Sequence, residues 1–268
     1  MISTIKPFEE LEFTDDFMFY QVLQNDEICK KLLECLLKVK IDRIVRQELQ
    51  KELKPYYGSK GVRLDAYIKD SGRIFNIEMQ QVSNEGLPKR TRYYQSMIDA
   101  DCLLKGSDYE ELNESFIIFI CKEDPFGADL PVYTFQNICA EKSGLALNDG
   151  AKKFFFNAAS AENEKDLAIK AFLNYIKSKE PQDSLTEQIE ECVERIRLAE
   201  ASKGAYMFES LRIRDSIMAG KKMGREEMGV ESAKNLYANG VSIEIIAKSL
   251  GMTEEQVKEI VSGAEASA

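Results

Sequence analysis

The 268-residue chain contains no histidine and no tryptophan. Without histidine there is no Ser-His-Asp triad, no Cys-His dyad, no H-E-x-x-H helix and no imidazole base. Acid, base and metal-ligand work must then fall to carboxylates, lysines, tyrosines or water. Oxygen ligands favour hard ions such as magnesium, calcium or manganese over zinc. The six cysteines form no C-x-x-C pair, so neither a zinc cage nor a disulfide framework is expected, and they read as buried or free thiols in a reducing cytosol. No apolar run reaches the roughly 18 residues a membrane span needs, and residues 1–12 carry acids where a signal peptide has an apolar core. The expectation is a cytoplasmic protein without a membrane partner. Positive charge is scarce as well: 36 Lys and Arg face 46 Asp and Glu, a net charge of −10. Phosphate binding normally gathers Lys and Arg on one face, so a nucleic-acid surface here would have to be local.

What remains is ample for folding. The chain is 44% hydrophobic, enough for one large core or one core plus a small appendage. Thr14 is a candidate N-cap ahead of Phe17, Met18, Val22 and Leu23, and Asn25-Asp26 can open a second helix carrying Ile28, Leu32, Leu33, Leu36 and Leu37. A short strand is expected within residues 41–49. Residues 62–69 and 73–80 alternate around Asp70-Ser71-Gly72 and read as a hairpin. A helix over residues 86–104 follows, and the fully apolar run at residues 116–121 suits a sheet centre. Asp124-Pro125-Phe126-Gly127 makes a turn, residues 132–135 and 153–156 are strand candidates, and residues 162–178 are helical. From residue 184 only helical periodicity continues, with one long helix expected over residues 185–218. The pattern predicts an α/β domain over residues 1–181, a helical connector over 182–228, a small helix-turn-helix-like unit over 229–263, and a frayed tail over 264–268.

The hairpin carries the chemistry. With Ile68 opposite Phe75, Asp65 comes opposite Glu78, and directly opposed side chains lie about 4.5–5.5 Å apart at Cβ. Glu78 and Gln80 project to one face because strand side chains alternate. Two carboxylates and an amide on one face suit a divalent cation with open positions for water and phosphate oxygens. The alternative at this point is an exposed strand pair bearing solvated acids.

Leu64-Asp65, followed by Asn76-Ile77-Glu78-Met79-Gln80, resembles the motif of the PD-(D/E)XK nuclease superfamily, and within it the transposase-associated, recombination-promoting branch. The likeness extends to Phe13-Thr14-Asp15-Asp16-Phe17-Met18-Phe19, Arg90-Thr91-Arg92-Tyr93-Tyr94 and Leu130-Pro131-Val132-Tyr133-Thr134-Phe135, roughly residues 11–181. It implies a restriction-endonuclease-like mixed sheet flanked by helices and magnesium- or manganese-dependent hydrolysis of DNA phosphodiesters. Asp65 and Glu78 would be the metal-binding, catalytic acids. Gln80 stands where the wider superfamily has lysine, although glutamine is usual in this branch. A neutral amide cannot offset phosphate charge as an ammonium does. Arg90, Arg92, Lys89 and Lys60 are candidates for the missing cation, Tyr93 and Tyr94 for a hydroxyl or stacking ring, and Asp16 for an additional metal carboxylate. For Arg90, Arg92, Lys89, Tyr93 and Tyr94 surface or core roles are favoured over direct catalytic ones, Lys60 is open to either, and helix N-terminal electrostatics already explains Asp16.

In the C-terminal part, residues 242–253 look like a helix-turn-helix, with Gly251 in the turn and Thr253 capping the next helix. Glu254, Glu255 and Glu259 on that helix disfavour DNA reading and favour packing or homo-oligomerisation. Two functions follow: a metal-dependent DNA endonuclease tied to recombination or mobile elements, or a catalytically inactive nuclease-fold protein acting through its helical C-terminal region.

Overall fold

A computed structural model describes residues 6–53, 61–82 and 85–265. The turn at Ser71-Gly72 sets the register of the central hairpin. Gly72 takes φ 82°, which costs glycine no Cβ clash, and Arg73 pairs with the buried Asp70 carboxylate across the turn. Strand β1 (Arg46–Leu53) pairs antiparallel with β2 (Val62–Asp70), and β2 pairs antiparallel with β3 (Arg73–Gln80), with Ile68 opposite Phe75 as the spacing predicts. The apolar run forms β4 (Glu114–Cys121), parallel to β3. The sheet is completed by β5 (Val132–Phe135) and β6 (Ala151–Asn157), in the order β1-β2-β3-β4-β6-β5. Strands β3 and β4 are buried along almost their whole length, which is why their sequences are nearly continuous in apolar residues.

Helix α1 (Asp16–Leu23) and α2 (Asp26–Leu37) precede the sheet, and α3 (Leu87–Cys102) connects β3 to β4. Leu87, Met97 and Ile98 of α3 join Tyr67, Ile74, Ile117, Phe119 and Phe155 in one apolar cluster. Helices α4 (Leu167–Ser178) and α5 (Ser184–Leu198) pack with α1 and α2, and α1 reaches β2. Full burial of side chains such as Phe19, Leu32, Phe172 and Val193 contributes roughly 1.5–3 kcal/mol each. The chain divides into two compact units, Met1–Lys203 and Gly204–Ala268. In the second, the later part of α6 (Glu200–Ala238) packs with α7 (Ile243–Leu250) and α8 (Glu254–Glu265) around Ala233, Ile246, Ala247, Val257 and Val261.

Several boundaries differ from those the pattern predicts, each for a local reason. Asp15, not Thr14, precedes α1; Thr14 is buried, and the Asp15 carboxylate accepts the Glu12 N–H. The strand expected at residues 41–49 starts at Arg46, because Ile41 is wholly buried and its N–H is taken by Glu34. The helix expected over 86–104 ends at Cys102. That over 162–178 begins only at Leu167, where the Asp166 side chain accepts from Ala168 and Ile169; a 3₁₀ turn occupies Ala158–Asn163. The long helix expected over 185–218 is broken at extended Ala199 into α5 and α6. Helix α5 buries Ile189 and Val193, and the first unit accordingly runs past residue 181 to Lys203. Thr253 caps α8 in a reciprocal pair with Gln256, and α8 extends through Glu265; residues 266–268 lie outside the described residues. All six cysteines are free thiols.

Candidate active site

The β2–β3 ladder stops at Ala66 opposite Ile77, one step short of the two acids, while β2 stays paired with β1 as far as Val62. Where the two strands part, side chains replace the missing ladder bonds. Glu78 Oε1 accepts the Asp65 backbone N–H at 3.1 Å, and Asp65 Oδ2 accepts the Met79 N–H at 3.3 Å. Each acid thus ties its partner's strand, and the two carboxylates are held together at the mouth of the gap. Asn76, two residues before Glu78 and fully buried, donates Nδ2 to the same Glu78 Oε1 at 3.0 Å. Glu78 is only 3% exposed.

Burial of two like charges is costly unless a cation joins them. Burial, and then the charge of Asp65, pushes Glu78 up to about 8. Asp65 is pushed up to about 6, first by burial and then by the charge of Asp16. Arg90 and the N–H donors oppose both shifts and do not cancel them. Both acids therefore hold their protons to higher pH than ordinary carboxyl groups do.

Arg90 projects from the first turn of α3 and donates Nη2 to Gln80 Oε1 at 2.7 Å. Its guanidinium sits 5.0 Å from the Phe119 ring centre and 5.5 Å from that of Tyr94, contacts that fix its plane. Its Nε is buried without a partner among the described residues. Gln80 Nε2 donates to the Val82 carbonyl, so each end of this amide has a protein partner. Tyr94 lies against Phe119, and its hydroxyl is pushed up to about 12 by burial and by the Glu78 charge.

Other predicted residues stand apart. Asp16 is exposed overall, yet the protein crowds its carboxyl enough to raise its pKa, with Arg63 opposing. It acts on Asp65 as a neighbouring negative charge. No group of three or more acids and thiols placed to hold a metal occurs among the described residues. Arg92 is exposed and lies about 200° around α3 from Arg90. Lys89 is exposed, and Tyr93 packs against the apolar cluster. Lys60 lies outside the described residues. Two residues given no role of their own from sequence belong to the site: Asn76, on the face of Glu78, and Arg63, whose charge lowers Asp65 and Asp16. Strand alternation from Glu78 and Asp65 is the signal that points to both.

The model of the PD-(D/E)XK nuclease family transposases matches residues 14–219. The chain belongs to this family. The matched span contains every side chain of the site and the whole restriction-endonuclease-like sheet. No curated protein and no solved structure matches the chain. The family is one of nucleases linked to mobile elements, and PD-(D/E)XK nucleases generally use divalent metals. The residues present fit such an ion. A buried and a half-buried carboxylate short of positive charge, opening on a gap between strands, form a donor set that magnesium accepts, since it keeps several waters and phosphate oxygens.

Proposed function

We propose that this protein is a metal-dependent DNA endonuclease in which Asp65 and Glu78 hold magnesium or manganese and Arg90 supplies the cation that lysine supplies elsewhere in the superfamily. The observation that carries the reading is the reciprocal Asp65–Glu78 bracing where β2 leaves β3. It keeps a buried and a half-buried acid side by side in a position that the fold alone does not require to be acidic. When bound, the ion supplies Lewis-acid stabilisation of phosphate charge and a more acidic water for attack.

The chain's own residues do the rest. Asn76 and the Asp65 N–H both bond Glu78 Oε1, which orients the carboxylate and leaves Oε2 outside these bonds. Gln80 is less a water-orienting group than a positioning residue, because its carbonyl oxygen holds Arg90. The guanidinium is forked, and the N–H groups not used by Gln80 are suited to a phosphate. The stacked rings of Phe119 and Tyr94 keep it from collapsing onto the carboxylates and quenching them.

Three outcomes are expected. Wild-type protein nicks supercoiled plasmid in magnesium or manganese and stops in saturating chelator; cleavage that persists there would contradict the reading. Arg90→Ala lowers the cleavage rate by about 10²–10³, the usual effect of removing one charge-stabilising donor. Gln80→Lys in the Arg90→Ala background recovers part of that loss by returning a cation to the face. Wild-type turnover by Arg90→Ala would remove Arg90 from the mechanism.

A further inference from the structure

The net charge of −10 hides one strongly basic stretch. Residues 210–225 of α6 hold Arg212, Arg214, Lys221, Lys222 and Arg225 against the single acid Asp215, and all five cations are exposed. At about 100° per residue, Arg214, Lys221, Lys222 and Arg225 fall within an arc of about 100°. Asp215, Glu209, Glu226 and Glu227 fall outside it. Among the described residues the ion pair made by these four is Lys222 Nζ to Glu226 Oε1 at 4.0 Å, an exposed i,i+4 contact that solvent screens.

We propose that this face of α6 binds the phosphate backbone of DNA. The inference rests on the reading that the substrate is DNA. From Arg214 to Arg225 the helix rises about 16 Å, and B-DNA presents about ten phosphate charges over that length. Four cations aligned along it match a polyanion. Exposed apolar side chains share the helix: Met207, Leu211 and Met218 fall within the arc of the four cations, while Phe208, Ile213 and Met223 point elsewhere. A partner helix needs a continuous apolar stripe, and a helix lying in a membrane surface needs a wide apolar face; here Arg214, Lys221 and Arg225 interrupt the apolar row. Between residues 214 and 225 this side carries four cations and a single apolar residue, Met218.

The test uses the full chain in chelator, so that binding is read without cleavage. Fluorescence anisotropy with a short mixed-sequence duplex is followed across a range of salt concentrations. The combined variant Arg214→Gln, Lys221→Gln, Lys222→Gln, Arg225→Gln keeps good helix formers, and circular dichroism checks its helicity. It is expected to bind at least tenfold more weakly and to lose roughly 3 units from the slope of log K against log salt, since each released phosphate contact contributes about 0.9. The control Lys234→Gln, Lys248→Gln, Lys258→Gln removes exposed lysines of the same unit and should stay within twofold of wild type. An unchanged slope in the α6 variant overturns the proposal, as does an equal loss in the control. So does a loss confined to phosphatidylserine vesicles or to self-association in sedimentation, with duplex affinity intact. Duplex binding that depends on α6 in a protein that never cleaves would sink the nuclease reading and leave this surface standing; cleavage with binding independent of α6 would do the reverse.

Discussion

Glu78→Gln and Asp65→Asn are each expected to lower plasmid cleavage by about 10³ or more, with the far-ultraviolet circular dichroism unchanged. Even outer partners of metal ligands cost 10–100-fold when removed, and these two would be the ligands themselves. The amide substitutions separate charge from shape. Glu78 Oε1 already carries the structural bonds, to the Asp65 N–H and the Asn76 amide, and a glutamine oxygen accepts both in the same place. In Asp65→Asn the side-chain amide oxygen would likewise accept the Met79 N–H that the carboxylate takes now. What disappears is one negative charge facing the gap. Isothermal titration with magnesium or manganese should show the same loss independently of turnover. If either variant cleaves within tenfold of wild type, Asp65 and Glu78 are not the metal-holding pair.

Much of this site was legible before any coordinates. The Asp70-Ser71-Gly72 turn and two alternating runs were enough to place Asp65 across from Glu78, because side-chain direction in a hairpin follows from register alone. The apolar run at β4 could only be a strand covered on both faces. The departure of β2 from β3 was not legible, since a ladder that stops one step early depends on how β1 and β3 pull on β2 at once. Nor was the partner of Gln80. That Arg90 and not Arg92 turns toward it depends on which side of α3 meets the sheet, and two arginines two positions apart give opposite answers. Asn76 was quoted in the motif yet had no task until its amide was seen on Glu78. Element boundaries shifted where a side chain took a backbone donor, as Asp15 and Asp166 do beside helices and Glu34 does ahead of β1.

Metal-free protein should lose stability as pH rises, and Glu78→Gln should cure it. Glu78 moves from an ordinary 4.5 up to about 8 on folding, and Asp65 from 3.8 up to about 6, both chiefly through burial. Between those limits the folded state binds protons that the unfolded state has already released. Stability from these groups is therefore complete below about pH 4 and declines as pH climbs through 6 and then 8. Glu78 carries the larger part of this loss, because it is the more deeply buried of the two and is raised further. In chelator at pH 8.5, Glu78→Gln should then melt roughly 5–10 °C above wild type. At pH 4.5, where Glu78 is protonated in the folded protein, the two should melt together. Saturating magnesium supplies the missing cation and should raise the wild-type melting temperature at pH 8.5, by mass action, while leaving Glu78→Gln where it was. Scanning calorimetry at the two pH values, with and without magnesium, gives all four comparisons. A wild-type melting temperature that is flat between pH 4.5 and 8.5 in chelator would show that the acids are solvated, not buried. The substitution expected to end cleavage is thus also the one expected to relieve the fold, because the charge the proposed reaction needs is the charge the core resists.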